Sequence, residues 1–175
     1  DASVAEDAAT FGEIAAEHGS QGFEWSAKLE DRNRLWKMRH EAYYAMLASR
    51  KGALAIVTDV CVPISRLAEA LLETKADIAE SGIPGPIVGH VGDGNFHSAL
   101  LIDPDNPEER EIANALAARM AKRALALGGT ITGEHGVGMG KRSYMEAEHG
   151  PAWSVMGAIK TALDPQNIMN PDKLV

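Results

Sequence analysis

The segment that most constrains this chain is GHVGDGNFH at residues 89–97, in which two histidines flank a glycine-rich turn. Asp93-Gly94 is a strong signal for a two-residue β-hairpin, because a type I′ turn needs positive φ at both central residues. With the turn there, His90 would face His97 directly across the hairpin, with Cβ atoms roughly 4.5–5.5 Å apart. The spacing therefore predicts half of a metal site, or else two half-buried histidines bonded to backbone.

A second glycine-rich segment, GEHG at residues 133–136, offers a third ligand. In an extended backbone the side chains of Glu134 and His135 would point to opposite sides, one toward a metal and the other toward a substrate. Glu134 would then join His90 and His97 in a two-histidine, one-carboxylate set. Three protein ligands of this kind are typical of catalytic zinc and of non-haem iron or manganese sites.

Composition excludes several classes of function. The chain has 175 residues, enough for one domain or for one lobe of a larger enzyme. A formal net charge of −8 and the lack of any basic stripe argue against nucleic acid as the main partner. The single cysteine excludes an internal disulfide, and no apolar run approaches the roughly 18 residues of a membrane span.

Periodicity and turn signals predict alternating helices and strands around an antiparallel hairpin. In chain order we expect a helix after a capping box at Ser3 and Glu6 that ends at His18-Gly19, a strand over 21–26, a helix over 27–49 and a strand over 53–62. There follow a helix capped by Ser65 and ending at Ser81, with Leu67, Ala68, Leu71 and Leu72 as its apolar stripe, then the hairpin, a helix capped by Asn106, and a helix over 152–163. This pattern favours an α+β domain with helices packed on one face of an antiparallel sheet.

Three motifs in order carry a family resemblance: GHVGDGNFH, GTITGEHGVGMGKR and LDPQNIMNPDKL. They resemble the C-terminal region of FAD-linked oxidases of the vanillyl-alcohol-oxidase type. Within that family the chain is most similar to D-lactate dehydrogenases (cytochrome), and it is related to glycolate oxidase FAD subunits and D-2-hydroxyglutarate dehydrogenases. LWKMRHEAYYA and TDVCVPISRL extend the resemblance, which spans about residues 23–174.

The resemblance implies a domain arrangement and cofactors. Residues 1–150 are expected to form part of a ferredoxin-like substrate (cap) domain, and residues 151–175 a helix and tail that return to an FAD-binding domain outside this chain. The implied cofactors are FAD and a divalent metal, zinc or manganese. Because residues 136–142 fail the Walker A pattern and no other segment offers a pyrophosphate site, we expect the chain alone to bind FAD weakly and to be inactive.

The resemblance also implies roles for six residues. These are metal binding by His90, His97 and Glu134, proton abstraction by His135, substrate-carboxylate binding by Arg39, and flavin contact by Asn170. Dicarboxylate-specific members carry asparagine two residues after the second metal histidine. This chain has Ala99 there, which favours a short substrate such as lactate.

The implied reaction is oxidation of D-lactate to pyruvate by hydride transfer to flavin, with glycolate or D-2-hydroxyglutarate as alternative substrates. Expected partners are the small 2-hydroxyacid, an electron acceptor such as a cytochrome or quinone, and a second copy in a homodimer. The expected location is cytoplasmic or peripheral to the inner membrane, and mitochondrial in a eukaryote. Two other classes of function fit the residues: a free-standing zinc hydrolase, in which His135 assists water, and a metal-binding regulatory module without chemistry.

Overall fold

The computed structural model describes residues 2–175, which divide into two compact units, one up to Tyr44 and the other from Ala45 to Val175. The elements are α1 (Ala2–Glu17), α2 (Leu29–Ala48), β1 (Leu54–Val57), β2 (Val60–Cys61), α3 (Ile64–Ser81), β3 (Ile87–His90), β4 (Asn95–Ile102), α4 (Pro107–Ala126), a 3₁₀ turn (Arg142–Tyr144), α5 (Met145–His149) and α6 (Ala152–Leu163). Helices and a small antiparallel sheet confirm the predicted α+β class. No helix in the described part of the chain is long and apolar enough to cross a membrane.

The first unit differs from the sequence prediction in two places. Helix α1 already includes Ala2, so Ser3 lies inside the helix and the predicted capping box is wrong. Residues 21–26 form no strand and pair with no strand of the described sheet; the aromatic side chain of Phe23 packs instead on Phe11 of α1, with ring centroids 5.2 Å apart. The predicted end of α1 is confirmed, with Gly19 at φ 82° after the last turn.

Strand β4 is the centre of the sheet, and the other three strands pair with it in antiparallel fashion. β1 and β2 continue one register along β4, from Leu54 opposite Ile102 to Val60 opposite Phe96. The predicted strand over 53–62 is therefore present but interrupted at residues 58–59. Strand β3 pairs with β4 over residues 95–98.

Helices α3 and α4 cover one face of this sheet. Phe96, Leu100 and Ile102 alternate along β4 and point into the two apolar clusters that these helices complete. The buried members of the clusters are Val60, Val62, Leu67, Ala70, Phe96, Met120 and Ala124 in one, and Ile83, Leu100, Ile102, Ala113 and Leu116 in the other. Side chains at the odd-numbered positions of β4, including Asn95 and His97, consequently point to the opposite face.

Helix capping was predicted correctly for α4 and incorrectly for α3. The Asn106 side chain accepts hydrogen bonds from the N–H groups of Glu108 and Glu109, and Pro107 occupies the first position of α4. In α3, Pro63 is the N-cap residue and Ser65 lies inside the helix, because the chain turns into the helix directly from β2.

The buried stripe of α3 also differs from the prediction. It runs through Leu67, Ala70 and Thr74, whereas the predicted stripe residues Ala68 and Leu72 are exposed. The sheet and α4 select the face of α3 that is buried, and this face is rotated from the one that local hydrophobicity suggested.

Candidate functional site

The hairpin has a longer connection than predicted. His90 pairs with Asn95, so residues 91–94 form a four-residue loop in place of the two-residue Asp93-Gly94 turn. The reason lies outside the hairpin: the carbonyl of Gly94 accepts a hydrogen bond from the N–H of Val62 at 3.0 Å, which ties this glycine to the end of β2. Gly94 has a φ of 76°, and a Cβ there would overlap the Val62 carbonyl, so only glycine fits.

The two histidines nevertheless share a face of the sheet. His97 is opposite Val88, and His90 is two residues further along β3, so the pair is diagonal and not directly opposite. A register shift of two residues preserves the face of every side chain, whereas a shift of one would have reversed it. The imidazole centroids of His90 and His97 are 6.2 Å apart. The prediction that they project from one face is confirmed.

His90, His97 and Glu134 converge on one point of this face. Glu134 Oε1 is 2.8 Å from His97 Nε2 and 3.5 Å from His90 Nε2. The ligand atoms of the three residues all lie within 4.8 Å of one another, and no other such group of His, Cys, Asp or Glu exists within residues 2–175. Ligands of one ion at roughly 2.0–2.2 Å are about 3–4.4 Å apart, so shifts of a few tenths of an ångström would bring these three atoms to the spacing of a metal site.

The environment of His97 suits a metal ligand. Its Nδ1 lies 3.2 Å from the carbonyl oxygen of Thr58, in hydrogen-bond contact. Its Nε2 is buried and has no hydrogen-bond partner among the described residues, although the Glu134 carboxylate is close. His97 is buried, His90 is half-buried and Glu134 is exposed, so the cluster is anchored on the sheet and open on its outer side.

Glu134 and His135 do not point to opposite sides, and that prediction is wrong. His135 Nε2 lies 3.8 Å from Glu134 Oε1, and the His135 ring stacks on His97 with centroids 4.7 Å apart and an interplanar angle of 5°. The cause is a bend in the backbone, because the N–H groups of Glu134 and His135 both donate to Asp59 Oδ2, at 3.1 and 2.8 Å. An extended segment would direct alternate N–H groups to opposite sides.

Asp59 is the residue that sequence reasoning missed. Its buried carboxylate also accepts hydrogen bonds from the Thr132 hydroxyl at 2.9 Å and from the Asn95 amide at 2.9 Å. Burial alone would raise the pKa of Asp59, but the hydrogen bonds outweigh burial, and the pKa lies well below its ordinary value of 3.8. The available signal was a polar Thr58-Asp59 step inside an otherwise apolar strand.

Lys141, the lysine of the run that fails the Walker A pattern, also belongs to this network. Its ammonium donates to the Asp59 carbonyl at 2.9 Å and lies 3.5 Å from Asp59 Oδ2. Burial lowers the pKa of Lys141, while the nearby Asp59 and Glu148 carboxylates oppose that shift. The glycine-rich run thus supplies a counter-ion for a buried carboxylate.

Arg39 and Asn170 lie in other parts of the chain. Arg39 is on α2 in the first unit, with its guanidinium 5.3 Å from the centroid of the Trp36 ring. Together with Arg32 and Leu35 these residues line a depression of 230 Å³. Asn170 is exposed in the C-terminal tail at φ 45°, and its carbonyl accepts a hydrogen bond from Lys173. The roles predicted for Arg39 and Asn170 stay predictions.

Comparison with known proteins places the chain in a family. Residues 1–174 match the family described as FAD linked oxidases, C-terminal domain. The chain is 49% identical to the probable D-lactate dehydrogenase, mitochondrial, of Danio rerio, over 99% of this chain and 35% of that protein. It is 43% identical to the mitochondrial D-lactate dehydrogenase [cytochrome] of Arabidopsis thaliana, over 93% of this chain and 29% of that protein.

A bacterial relative has a different printed name. The chain is 36% identical to glycolate oxidase subunit GlcD of Bacillus subtilis, over 77% of this chain and 31% of that protein. The chain thus spans about a third of the length of the relatives it matches. These matches confirm the resemblance found in the three motifs, and because the family match covers nearly every residue, the chain belongs to the C-terminal domain family of the FAD-linked oxidases.

Proposed function

We propose that this chain is the substrate- and metal-binding domain of an FAD-dependent D-2-hydroxyacid dehydrogenase that oxidises D-lactate to pyruvate. The observation that carries the proposal is the convergence of His90, His97 and Glu134 beside the imidazole of His135. Family membership supports flavin as the redox partner, and relatives named D-lactate dehydrogenase at 41–49% identity support the substrate.

His90, His97 and Glu134 would hold a divalent zinc or manganese ion. The donor set fits: two imidazole nitrogens and one carboxylate oxygen suit either metal, and the buried, unpartnered Nε2 of His97 is a ready ligand atom. The exposed side of the cluster leaves room for a substrate hydroxyl. When bound, the metal would lower the pKa of that hydroxyl and so favour its deprotonation near neutral pH.

His135 would accept the proton of the substrate hydroxyl at its Nε2 atom. The ring lies against His97 and borders the ligand cluster, and its side chain is 47% exposed, so a substrate can reach it. A neutral imidazole is suited to this step near pH 7. FAD, when bound, would accept the hydride that leaves Cα, so that the two-electron oxidation of D-lactate to pyruvate balances.

Two further roles rest on the family resemblance. Arg39 would bind the substrate carboxylate, because a guanidinium offers two parallel N–H donors to a carboxylate. Asn170 would lie near the flavin. Ala99 is buried on β4 two residues after His97, so no side-chain amide stands there to bind a second carboxylate. This favours D-lactate over D-2-hydroxyglutarate.

The names of two relatives support a proposal for the electron acceptor and the location. The Arabidopsis thaliana and Kluyveromyces lactis relatives are named D-lactate dehydrogenase [cytochrome], mitochondrial. By analogy we propose a cytochrome as electron acceptor and, in a eukaryotic source, a mitochondrial location. A quinone acceptor, association with the inner membrane and a homodimer are further expectations from the family resemblance.

Rapid-mixing measurement of flavin reduction tests the proposal. The metal-loaded flavoprotein that carries this domain would be mixed with D-lactate, glycolate, D-2-hydroxyglutarate or L-lactate without an electron acceptor. We expect D-lactate to bleach the flavin with the highest second-order rate constant, and removal of the metal by a chelator to abolish bleaching. A faster reaction with glycolate would reassign the substrate, and no bleaching by any 2-hydroxyacid would overturn the proposal.

A further inference from the structure

The interruption between β1 and β2 replaces a main-chain hydrogen bond with a side-chain one. Thr58 is opposite Ser98 and donates its N–H to the Ser98 carbonyl at 2.9 Å, as in a regular antiparallel ladder. The return bond is different, because the N–H of Ser98 donates to the hydroxyl Oγ1 of Thr58 at 2.8 Å and not to its carbonyl. The Thr58 carbonyl is thereby released from the ladder.

The released carbonyl contacts His97. The oxygen lies 3.2 Å from His97 Nδ1, and a carbonyl can only accept, so this contact requires the proton on Nδ1. In neutral His97 the other nitrogen, Nε2, must then carry a lone pair. Nε2 is the buried atom without a hydrogen-bond partner in the described chain, and it points toward Glu134.

Asp59, the next residue, contacts the same histidine and also binds the backbone of the Glu134-His135 segment. Its Oδ1 lies 3.5 Å from His97 Nδ1, which also favours a proton there. Its Oδ2 accepts the N–H groups of Glu134 and His135 and so sets the direction of both side chains. Thr58 and Asp59 therefore both contact His97, and Asp59 also binds the N–H groups of Glu134 and His135.

We propose that Thr58 and Asp59 are positioning residues of this site. Thr58 fixes the tautomer of His97 that leaves Nε2 open, and Asp59 holds the Glu134-His135 segment over it. The effect on metal affinity rests on the proposed function, whereas the tautomer of His97 is a property of the metal-free chain. Outer partners of metal-binding histidines orient the ring and set its basicity, and their loss typically weakens metal binding about 10–100-fold.

Two substitutions at position 58 test whether the hydroxyl of Thr58, rather than the shape of its side chain, is required. Thr58→Ser keeps the Oγ atom that accepts the hydrogen bond from the N–H of Ser98. Thr58→Val keeps the branched shape but removes this acceptor, so we expect the backbone carbonyl of residue 58 to accept the Ser98 N–H in its place. Asp59→Asn removes the negative charge of the second residue and replaces one of its two acceptor oxygens with an NH2 donor. Asp77→Asn is the matched control, because Asp77 is a largely buried carboxylate bonded to Arg123 on the helical face of the sheet.

Two readouts are needed for each variant of the 175-residue chain. Nitrogen-15 NMR of the imidazoles in the metal-free chain at mildly alkaline pH identifies the protonated nitrogen of His97. Calorimetric titration with Mn²⁺ alone gives the dissociation constant. We expect Nδ1-protonated His97 in the native chain, in Thr58→Ser and in Asp77→Asn. In Thr58→Val we expect a shift toward the Nε2-protonated form and roughly 10–100-fold weaker Mn²⁺ binding, and in Asp59→Asn weaker binding of similar size.

The outcomes distinguish this inference from the proposed function. Nε2-protonated His97 in the native chain would overturn it, even if Thr58→Val failed to fold. Equal losses in Thr58→Ser and Thr58→Val would also overturn the role of the hydroxyl, and unchanged Mn²⁺ binding in Asp59→Asn would overturn the role of Asp59. If the native chain binds no Mn²⁺ but its His97 tautomer changes as expected in Thr58→Val, the proposed metal site fails and the role of Thr58 stands.

Discussion

Oε1 of Glu134 lies 2.8 Å from Nε2 of His97, but the contact lacks the geometry of a hydrogen bond. With the His97 proton on Nδ1, two electron-rich atoms face each other at this distance. Such a pair is unfavourable unless a cation binds both atoms from one side. The cluster is therefore expected to be more stable with a divalent ion than without one.

The first prediction is that Mn²⁺ or Zn²⁺ raises the melting temperature of the chain and that His90→Ala abolishes this rise. A ligand at 100 times its dissociation constant stabilises the folded state by about 2.7 kcal/mol, if it binds only that state. His90→Ala removes one ligand atom of the cluster, and Glu134→Gln should weaken binding because it removes the carboxylate charge. Differential scanning calorimetry with and without metal measures the effect.

His149→Ala is the control for a lost imidazole. His149 ends α5 and its Nε2 lies 3.8 Å from the Glu148 carboxylate, outside the cluster. This variant should keep the full metal-dependent rise in melting temperature. If His90→Ala kept that rise, or if His149→Ala lost it as well, the ion would bind elsewhere.

The hairpin shows how far local sequence signals reach. The glycine-rich spacing between His90 and His97 predicted a shared face, and the structure has one, because a strand alternates its side chains with a period of two. The predicted position of the turn was wrong, because Gly94 is hydrogen-bonded to Val62, which is 32 residues earlier in the chain. Turn propensity describes an isolated hairpin and contains no information about a neighbouring strand.

Helix ends and buried faces were predictable where the signal was local. Asn106 with Pro107 specified the start of α4, because the cap bonds are made within three residues. The roles of Thr58 and Asp59 were not predictable, since their partners Ser98 and Glu134 are 40 and 75 residues away. Burial of a carboxylate is costly unless hydrogen-bond donors compensate it, and the donors to Asp59 are distant in sequence.

The second prediction concerns Gly133, which lies directly against the site network. A Cβ at this position would overlap the amide of Asn95, with Asn95 Cγ at 2.7 Å and Asp59 Oδ1 at 3.0 Å. Gly133→Ala should lower the free energy of unfolding by about 1–3 kcal/mol, as overpacked sites do, and should weaken Mn²⁺ binding. Urea denaturation measures the first effect and calorimetric titration the second.

Gly140→Ala is the matched control for this substitution. Gly140 belongs to the same glycine-rich run, but a Cβ there would meet nothing within 4 Å. We expect no loss of stability or of metal binding. Equal effects of the two substitutions would mean that flexibility of the run, and not the contact of Gly133 with Asn95, is what matters.

The third prediction is a pH dependence of stability that arises from Glu109. The hydrogen bonds from Arg50, together with one from the N–H of Asp103, lower the pKa of Glu109 from 4.5 to about 2. A carboxyl group with a lowered pKa in the folded state stabilises the fold above its unfolded pKa, and this contribution is lost as the pH falls toward about 2. Glu109→Gln should therefore reduce the fall in stability between pH 4.5 and pH 2.

Urea titrations at several values of pH measure this difference. The expected result is a smaller slope of unfolding free energy against pH for Glu109→Gln than for the native chain. Glu108→Gln, at the neighbouring exposed position in the first turn of α4, should leave the slope nearly unchanged. Parallel curves for Glu109→Gln and the native chain would show that the Arg50 pair does not govern acid stability.

The last prediction concerns His135 in the metal-loaded flavoprotein. His135→Asn should slow the reduction of flavin by D-lactate about 10²–10⁴-fold, the usual contribution of a general base, while metal content is retained. The physical reason is that His135 stacks on His97 and borders the group of three ligand atoms without being one of them. Asparagine has a similar width but cannot accept the hydroxyl proton.

Metal analysis decides between His135 and Glu134 as ligand, a choice that the geometry leaves to experiment because both side chains turn toward His97. Glu134→Gln should lose metal and activity together, whereas His135→Asn should lose activity alone. If His135→Asn loses the metal while Glu134→Gln retains it, the ligand and the base are exchanged. In that case the stacked imidazole of His135 would have to rotate toward the ion, and the carboxylate of Glu134 would accept the proton of the substrate.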